Sequence, residues 1–276
     1  MRDARAAVLL LAAVIGGAAR AGEPVVAVHM VEGPHQPGPV AIEVVAPDVL
    51  APDVRYPVLY LLPVEPGTGE KYGSGIREAA RGDLANRHGV ICVAPAFAAT
   101  PWYGDHPSDP GLRQESHFIE TVLPWVEAHY PAEPSRGGRY LLGFSKSGNG
   151  AFMLLLRHPD LFERALAWDA PVGKMRPDQF GMLAVFGTDA HFDGYAIPRL
   201  LAPRAAMLRE GGPRFVLMPD RQGDHGMEMV RYLMVALGIP HGYAETDGCR
   251  HHWESGWVAR AVELLLEGVG VAPGRE

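Results

Sequence analysis

The chain has 276 residues, 47% of them hydrophobic and 21% charged, and a formal net charge of −7. That is enough apolar material for one buried core in a single domain of α/β type, and an acidic chain without a basic cluster is excluded as a nucleic-acid binder. Two cysteines exclude a disulfide framework.

The first residues read as an address. Arg2 and Arg5 precede an apolar run over 6–17, and Ala19-Arg20-Ala21 offers a small-x-small cleavage site. Residues 1–21 are therefore expected to be a signal peptide and 22–276 a single domain. The run is too short to span a bilayer comfortably, so the product is expected to be secreted or periplasmic, with no membrane attachment after cleavage. Losing Arg2, Asp3, Arg5 and Arg20 changes the formal charge from −7 to −9.

Short β-branched runs over 25–30 and 40–45, separated by Gly-Pro turns, predict an opening antiparallel pair. Tyr56-Pro-Val-Leu-Tyr-Leu-Leu62 is continuously apolar, as a strand buried on both faces should be. A helix over 75–87 and a buried strand over 90–94 follow. The stretch 97–114, with prolines at 101, 107 and 110, is a long loop of the kind that covers functional sites. Trp102 and Tyr103 in it are candidates to stack on a sugar or aryl ester or, equally, to pack the loop against the body. An amphipathic helix over 115–129 repeats Phe118, Val122 and Trp125 on one face.

The next strand ends at Phe144 and passes into a helix over 147–157. Further strands are expected at 165–168, 214–218 and 242–245, with helices over 226–237 and 253–268. This alternation specifies a mostly parallel central sheet with helices on both faces.

Chemistry concentrates at Gly143-Phe-Ser-Lys-Ser147, which matches the nucleophile elbow G-x-S-x-G except at its last position. Small residues two before and two after the serine let the helix turn back against the strand. A phosphate-binding loop is excluded because the stretch has no Gly-Lys pair. Ser145 as nucleophile requires a base and a group to orient it. His251 and His252 lie after the final strand and before the final helix, and His251 is preferred. Asp169, Asp220 and Asp224 all follow strands on the side where loops carry function; Asp224 is the expected acid, Asp220 next, Asp169 last. The neighbours Asp105-His106 and Asp224-His225 supply too few converging ligands for a metal site, and no metal or cofactor is expected.

On these residues the chain resembles the α/β-hydrolase superfamily, and within it the esterase group that includes esterase D and the S-formylglutathione hydrolases. The carriers are the strand 56–62, the helix before the elbow, Gly143-Phe-Ser-Lys-Ser-Gly148, and His251-His-Trp253 with Trp257. The resemblance implies an α/β-hydrolase fold and the order Ser145, Asp224, His251. It also implies that Cys92 and Cys249 lie on opposite sides of the sheet and form no disulfide. One departure is that Pro63-Val64 stands where these esterases have His-Gly. Proline has no N–H to give, so the oxyanion donors are expected to be the N–H groups of Lys146 and of Val64 or Glu65, with Glu65 preferred. The expected activity is an exported serine esterase acting on a small-molecule or glycan ester through an acyl-enzyme. An acyltransferase using the same residues, and a non-catalytic carbohydrate- or protein-binding descendant, are the alternatives.

Overall fold

The computed structural model describes residues 25–220 and 226–267; the expected signal peptide and Asp224 lie outside them. Eight strands form one sheet: β1 (Ala27–Val31), β2 (Val40–Val45), β3 (Val58–Leu62), β4 (Ile91–Pro95), β5 (Arg139–Phe144), β6 (Arg164–Trp168), β7 (Phe215–Met218) and β8 (His241–Tyr243). Their order is β1-β2-β4-β3-β5-β6-β7-β8. β1 pairs antiparallel with β2, and β2 with β4, while every pairing from β4 through β3 to β8 is parallel.

The apolar runs are continuous because both faces of the sheet are covered. In β3, Val58, Tyr60 and Leu62 point into one core, which also holds Phe152 and Leu155 of the helix Ser145–Arg157. Leu59 and Leu61 point into the other, with Ile76 and Ala79 of the helix Gly75–Arg81 and Val258 and Val262 of the helix Val258–Glu267. Side chains alternate across a strand with period 2, so one run feeds two cores.

Several elements depart from the expected ones. The helix expected over 75–87 is two, Gly75–Arg81 and Leu84–His88, because Asp83 between them takes a left-handed φ of 51°. The helix before the elbow has a π-helical turn, Phe118–Val122, between Gln114–His117 and Leu123–His129. The segment between β6 and β7, for which the sequence predicts no element, holds the helices Met182–Phe186, Asp189–Phe192 and Ile197–Leu208. Cys92 is buried in β4 and Cys249 follows β8; both are free thiols. Among the described residues no helix is long and apolar enough to cross a membrane.

Candidate active site

Adjacent strands β3, β5, β6 and β7 end side by side, with Leu62 opposite Gly143, Phe144 opposite Trp168 and Trp168 opposite Met218. The residues just beyond these ends, including Val64, Ser145, Asp169 and Asp220, line a single cavity of about 600 Å³ together with His251.

Ser145 sits at the turn from β5 into its helix with a φ of 51°. A left-handed φ in a residue other than glycine costs on the order of 1–3 kcal/mol and persists only where the surroundings over-determine it. Two features do so. A Cβ on Gly143 would stand 2.3 Å from the carbonyl oxygen of Ser147, so only glycine admits the helix this close to the strand. Ser147, in the place of the motif's last glycine, is fully buried; its Oγ accepts from the Phe144 N–H at 3.0 Å and donates to the Phe144 carbonyl at 2.9 Å. The substitution therefore adds a clasp to the elbow. The N–H of Lys146, in the first helical turn, has no carbonyl within the helix to bind.

The His251 side chain is 39% exposed, and its Nδ1 is hydrogen-bonded to Oδ2 of Asp169 at 2.6 Å. The Asp169 carboxylate is only 8% exposed. Its backbone turns at a φ of 40° directly after β6, and its N–H donates to the Met218 carbonyl at the end of β7 at 3.1 Å. Three aromatic rings fix the imidazole plane: Phe144 at 5.1 Å, Trp168 at 6.1 Å and Tyr72 at 6.1 Å between centroids. Trp168 in turn stacks on Trp257 at 4.5 Å and donates its indole N–H to Thr246 Oγ1 at 2.8 Å.

Asp224, the expected acid, lies outside the described residues; in the described structure the carboxylate at His251 is Asp169, ranked last from sequence. Asp220 lines the cavity, and its buried Oδ1 has no hydrogen-bond partner among the described residues. His252 is not on the cavity wall. Its Nδ1 accepts from the Glu254 N–H at 3.2 Å, and its carbonyl receives the Trp257 indole N–H at 2.9 Å.

Three expectations need correction. Trp102 and Tyr103 are 0% exposed and line no part of the cavity. Gln114 clamps their loop from inside, its Oε1 accepting both backbone N–H groups at 2.8 and 2.9 Å. Neither ring reaches the cavity, and their polar ends donate to the carbonyls of Phe180 and Pro63. Glu65 is also off the wall: Val64 lines the cavity instead, and the Glu65 carboxylate accepts the Lys71 N–H at 2.6 Å.

The cavity wall includes residues that no sequence signal marks. Phe180, 71% exposed with a φ of 49°, stands at the cavity with its carbonyl held by the Trp102 indole at 3.0 Å. Tyr72 is also part of the cavity lining, as is Lys174, which pairs with Asp178 at 2.9 Å. Lys146 is half-buried, and burial lowers its ammonium pKa, with the Glu65 carboxylate pulling it up and Lys71 pushing it down. Among the described residues no group of three or more His, Cys, Asp or Glu is arranged to hold a metal ion.

Residues 36–177 match the family model described as "Putative esterase". Two esterases of Mycobacterium tuberculosis, from strains CDC 1551 / Oshkosh and ATCC 25618 / H37Rv, are each 31% identical over 134 residues. The match takes in 46% of this chain but only 28% of those relatives' own length. Among solved structures, a fluorophosphonate-binding serine hydrolase of Staphylococcus aureus superposes with a TM-score of 0.71 at 16% identity, over 89% of this chain and 99% of that one. A ferulic acid esterase gives 0.69 at 22%, over 89% and 98%. An S-formylglutathione hydrolase from Agrobacterium tumefaciens gives 0.69 at 16%, over 91% and 98%. The fold is that of the α/β-hydrolases.

Proposed function

From the premise that the chain belongs to the esterase family whose model it matches, we propose that it is a serine hydrolase that cleaves a carboxylic ester through Ser145, His251 and Asp169. The observation that carries this reading is the 2.6 Å pair of His251 and the buried Asp169 carboxylate in the same cavity as a serine held at a strained elbow.

The chemistry follows from what each group can do. A serine hydroxyl is a weak nucleophile until a base takes its proton. With Nδ1 of His251 engaged by Asp169, the imidazole presents Nε2 as base, and the carboxylate stabilises the imidazolium that forms. Ser145 Oγ bonds to the ester carbon as the carbonyl π bond opens to an oxyanion. Collapse expels the alkoxide, which takes the proton from His251 and leaves as the alcohol. Water, deprotonated by the same imidazole, then releases the acid and restores Ser145. The N–H groups of Lys146 and Val64 are the donors we assign to the oxyanion, since both residues line the cavity.

Membership of an esterase family favours water as the second nucleophile, and so hydrolysis over acyl transfer. A small-molecule or glycan ester is the substrate class proposed. We also propose export, with cleavage after Ala21; recovered mature protein should begin at Gly22 by N-terminal sequencing.

The test is labelling with a fluorophosphonate probe beside turnover of p-nitrophenyl acetate. Labelling and turnover should both disappear in Ser145→Ala. Persistent turnover in that variant removes Ser145 from the mechanism.

A further inference from the structure

We infer that Tyr103, buried behind the cavity, is a positioning residue for the oxyanion site: its hydroxyl fixes the Pro63–Val64 peptide so that the Val64 N–H faces the reacting carbonyl. The inference rests on the serine-hydrolase reading above and deepens it.

The Tyr103 hydroxyl donates to the Pro63 carbonyl at 2.6 Å. That carbonyl and the Val64 N–H belong to one peptide unit, and a trans peptide holds them on opposite edges of a rigid plane. No described peptide bond is cis. Fixing the carbonyl toward Tyr103 therefore fixes the N–H in the opposite direction. The Tyr103 side is protein interior, where the ring meets Phe97 edge-on at 5.1 Å. Val64 lines the cavity together with Ser145 and Lys146, and that is the side to which we assign its N–H. Proline at 63 has no N–H of its own, so Val64 supplies the first donor after β3.

The anchor itself is over-determined. Tyr103 sits at a φ of 61°, its N–H bound by Gln114 Oε1 at 2.9 Å. Its ring lies so close to the nucleophile's helix that a Cβ on Gly150 would stand 2.2 Å from Cδ2. Ring and nucleophile are thus registered on the same helix. Burial holds the phenol well above its ordinary pKa, so the oxygen keeps its proton to donate. A buried tyrosine hydroxyl usually finds an acceptor, and here the acceptor is the carbonyl of the very peptide whose N–H is the assigned oxyanion donor. The hydroxyl of Tyr60, buried in β3, is directed at none among the described residues.

The experiment compares wild type with Tyr103→Phe, with Tyr60→Phe as control for removing a buried hydroxyl, and with Ser145→Ala. Each is assayed on p-nitrophenyl acetate at a temperature where its melting curve shows it folded. Affinity is also measured for an aryl trifluoromethyl ketone. Ser145 Oγ adds to that ketone's carbonyl carbon, its proton passing to His251 and the carbonyl oxygen becoming the bound oxyanion. Tyr103→Phe should lower kcat about ten- to a hundredfold with KM changed less than about twofold, and should weaken the ketone by the same factor as kcat/KM. Tyr60→Phe should leave all three unchanged. Replacing Tyr103 by 4-aminophenylalanine, which restores an N–H donor, should recover part of the lost kcat.

If Ser145→Ala is inactive but Tyr103→Phe keeps wild-type kcat and ketone affinity, the positioning role is overturned while the hydrolase reading stands. The positioning role is likewise overturned if the amine recovers nothing, or if Tyr60→Phe loses as much as Tyr103→Phe. If Ser145→Ala retains turnover, the hydrolase reading falls and this inference with it.

Discussion

Asp169→Asn removes one negative charge from beneath His251 while keeping the shape of the side chain. The heavy atoms of the pair are 2.6 Å apart and the carboxylate is 8% exposed, and the charge centres, averaged over each delocalised group, are about 4 Å apart. At the effective dielectric of a partly buried site, unit charges at that separation interact by about 4 kcal/mol. That attraction exists only when the imidazole is protonated, which in the proposed mechanism happens in the transition states for acylation and deacylation, so its loss should raise the barrier without weakening ester binding. A barrier higher by about 4 kcal/mol is about three orders of magnitude in kcat. The assay is steady-state turnover of p-nitrophenyl acetate, with Asp220→Asn and Asp224→Asn measured beside it. The expected result is a loss of about a thousandfold for Asp169→Asn at nearly constant KM, with much smaller losses for the other two. The reasoning is refuted if Asp169→Asn stays within about threefold of wild type, and the acid role passes to Asp224 if that variant takes the large loss instead.

Other consequences can be measured on folding. Gly143→Ala forces a Cβ to 2.3 Å from a backbone oxygen that cannot move without breaking the helix start. It should cost more than about 3 kcal/mol in urea denaturation, and an unchanged midpoint would contradict the elbow geometry. Ser147→Ala leaves the buried Phe144 N–H without its acceptor and should cost about 1–3 kcal/mol by the same method. His117 is fully buried, and burial, with His35 adding to it, lowers its pKa from 6.5 to about 4. The unfolded chain binds that proton below pH 6.5 and the folded chain only near 4, so this group's contribution to stability falls as pH drops through that window, by about 3 kcal/mol in all. In His117→Phe that part of the acid sensitivity should be missing, and a pH–stability curve parallel to wild type between the two pKa values would disprove the assignment.

Where the sequence is legible, the reason is periodicity or sterics. Continuous apolar runs mark β3 and β4 because both faces are covered, and Gly143 with Ser145 marks the elbow because a strand meeting a helix at that angle tolerates little else. The sequence does not single out Asp169 because Asp169, Asp220 and Asp224 follow strands equally well, and spacing along the chain carries no information about which carboxylate meets an imidazole 82 residues away from Asp169. Trp102 and Tyr103 read as ligand contacts because an aromatic pair in a long loop looks alike whether it faces out or in. Only the hydrogen bonds of Gln114, placed by folding, decide it. Phe180 and Lys174 leave no trace because irregular backbone has no period to read.

The parallel ladder also acts as a ruler. The loop carrying Val64, the elbow at Ser145 and the turn at Asp169 leave from three neighbouring strands, β3, β5 and β6, whose last rungs are in register. Neighbouring strands lie about 4.8 Å apart, so the spacing between Val64, Ser145 and Asp169, the proposed donor, nucleophile and acid, is inherited from the backbone repeat and needs no loop to measure it. Central strands open only with global unfolding, so on heating the spacing of these three should hold until the melting transition, and any earlier loss of activity would have to come from His251, on the loop after the edge strand β8.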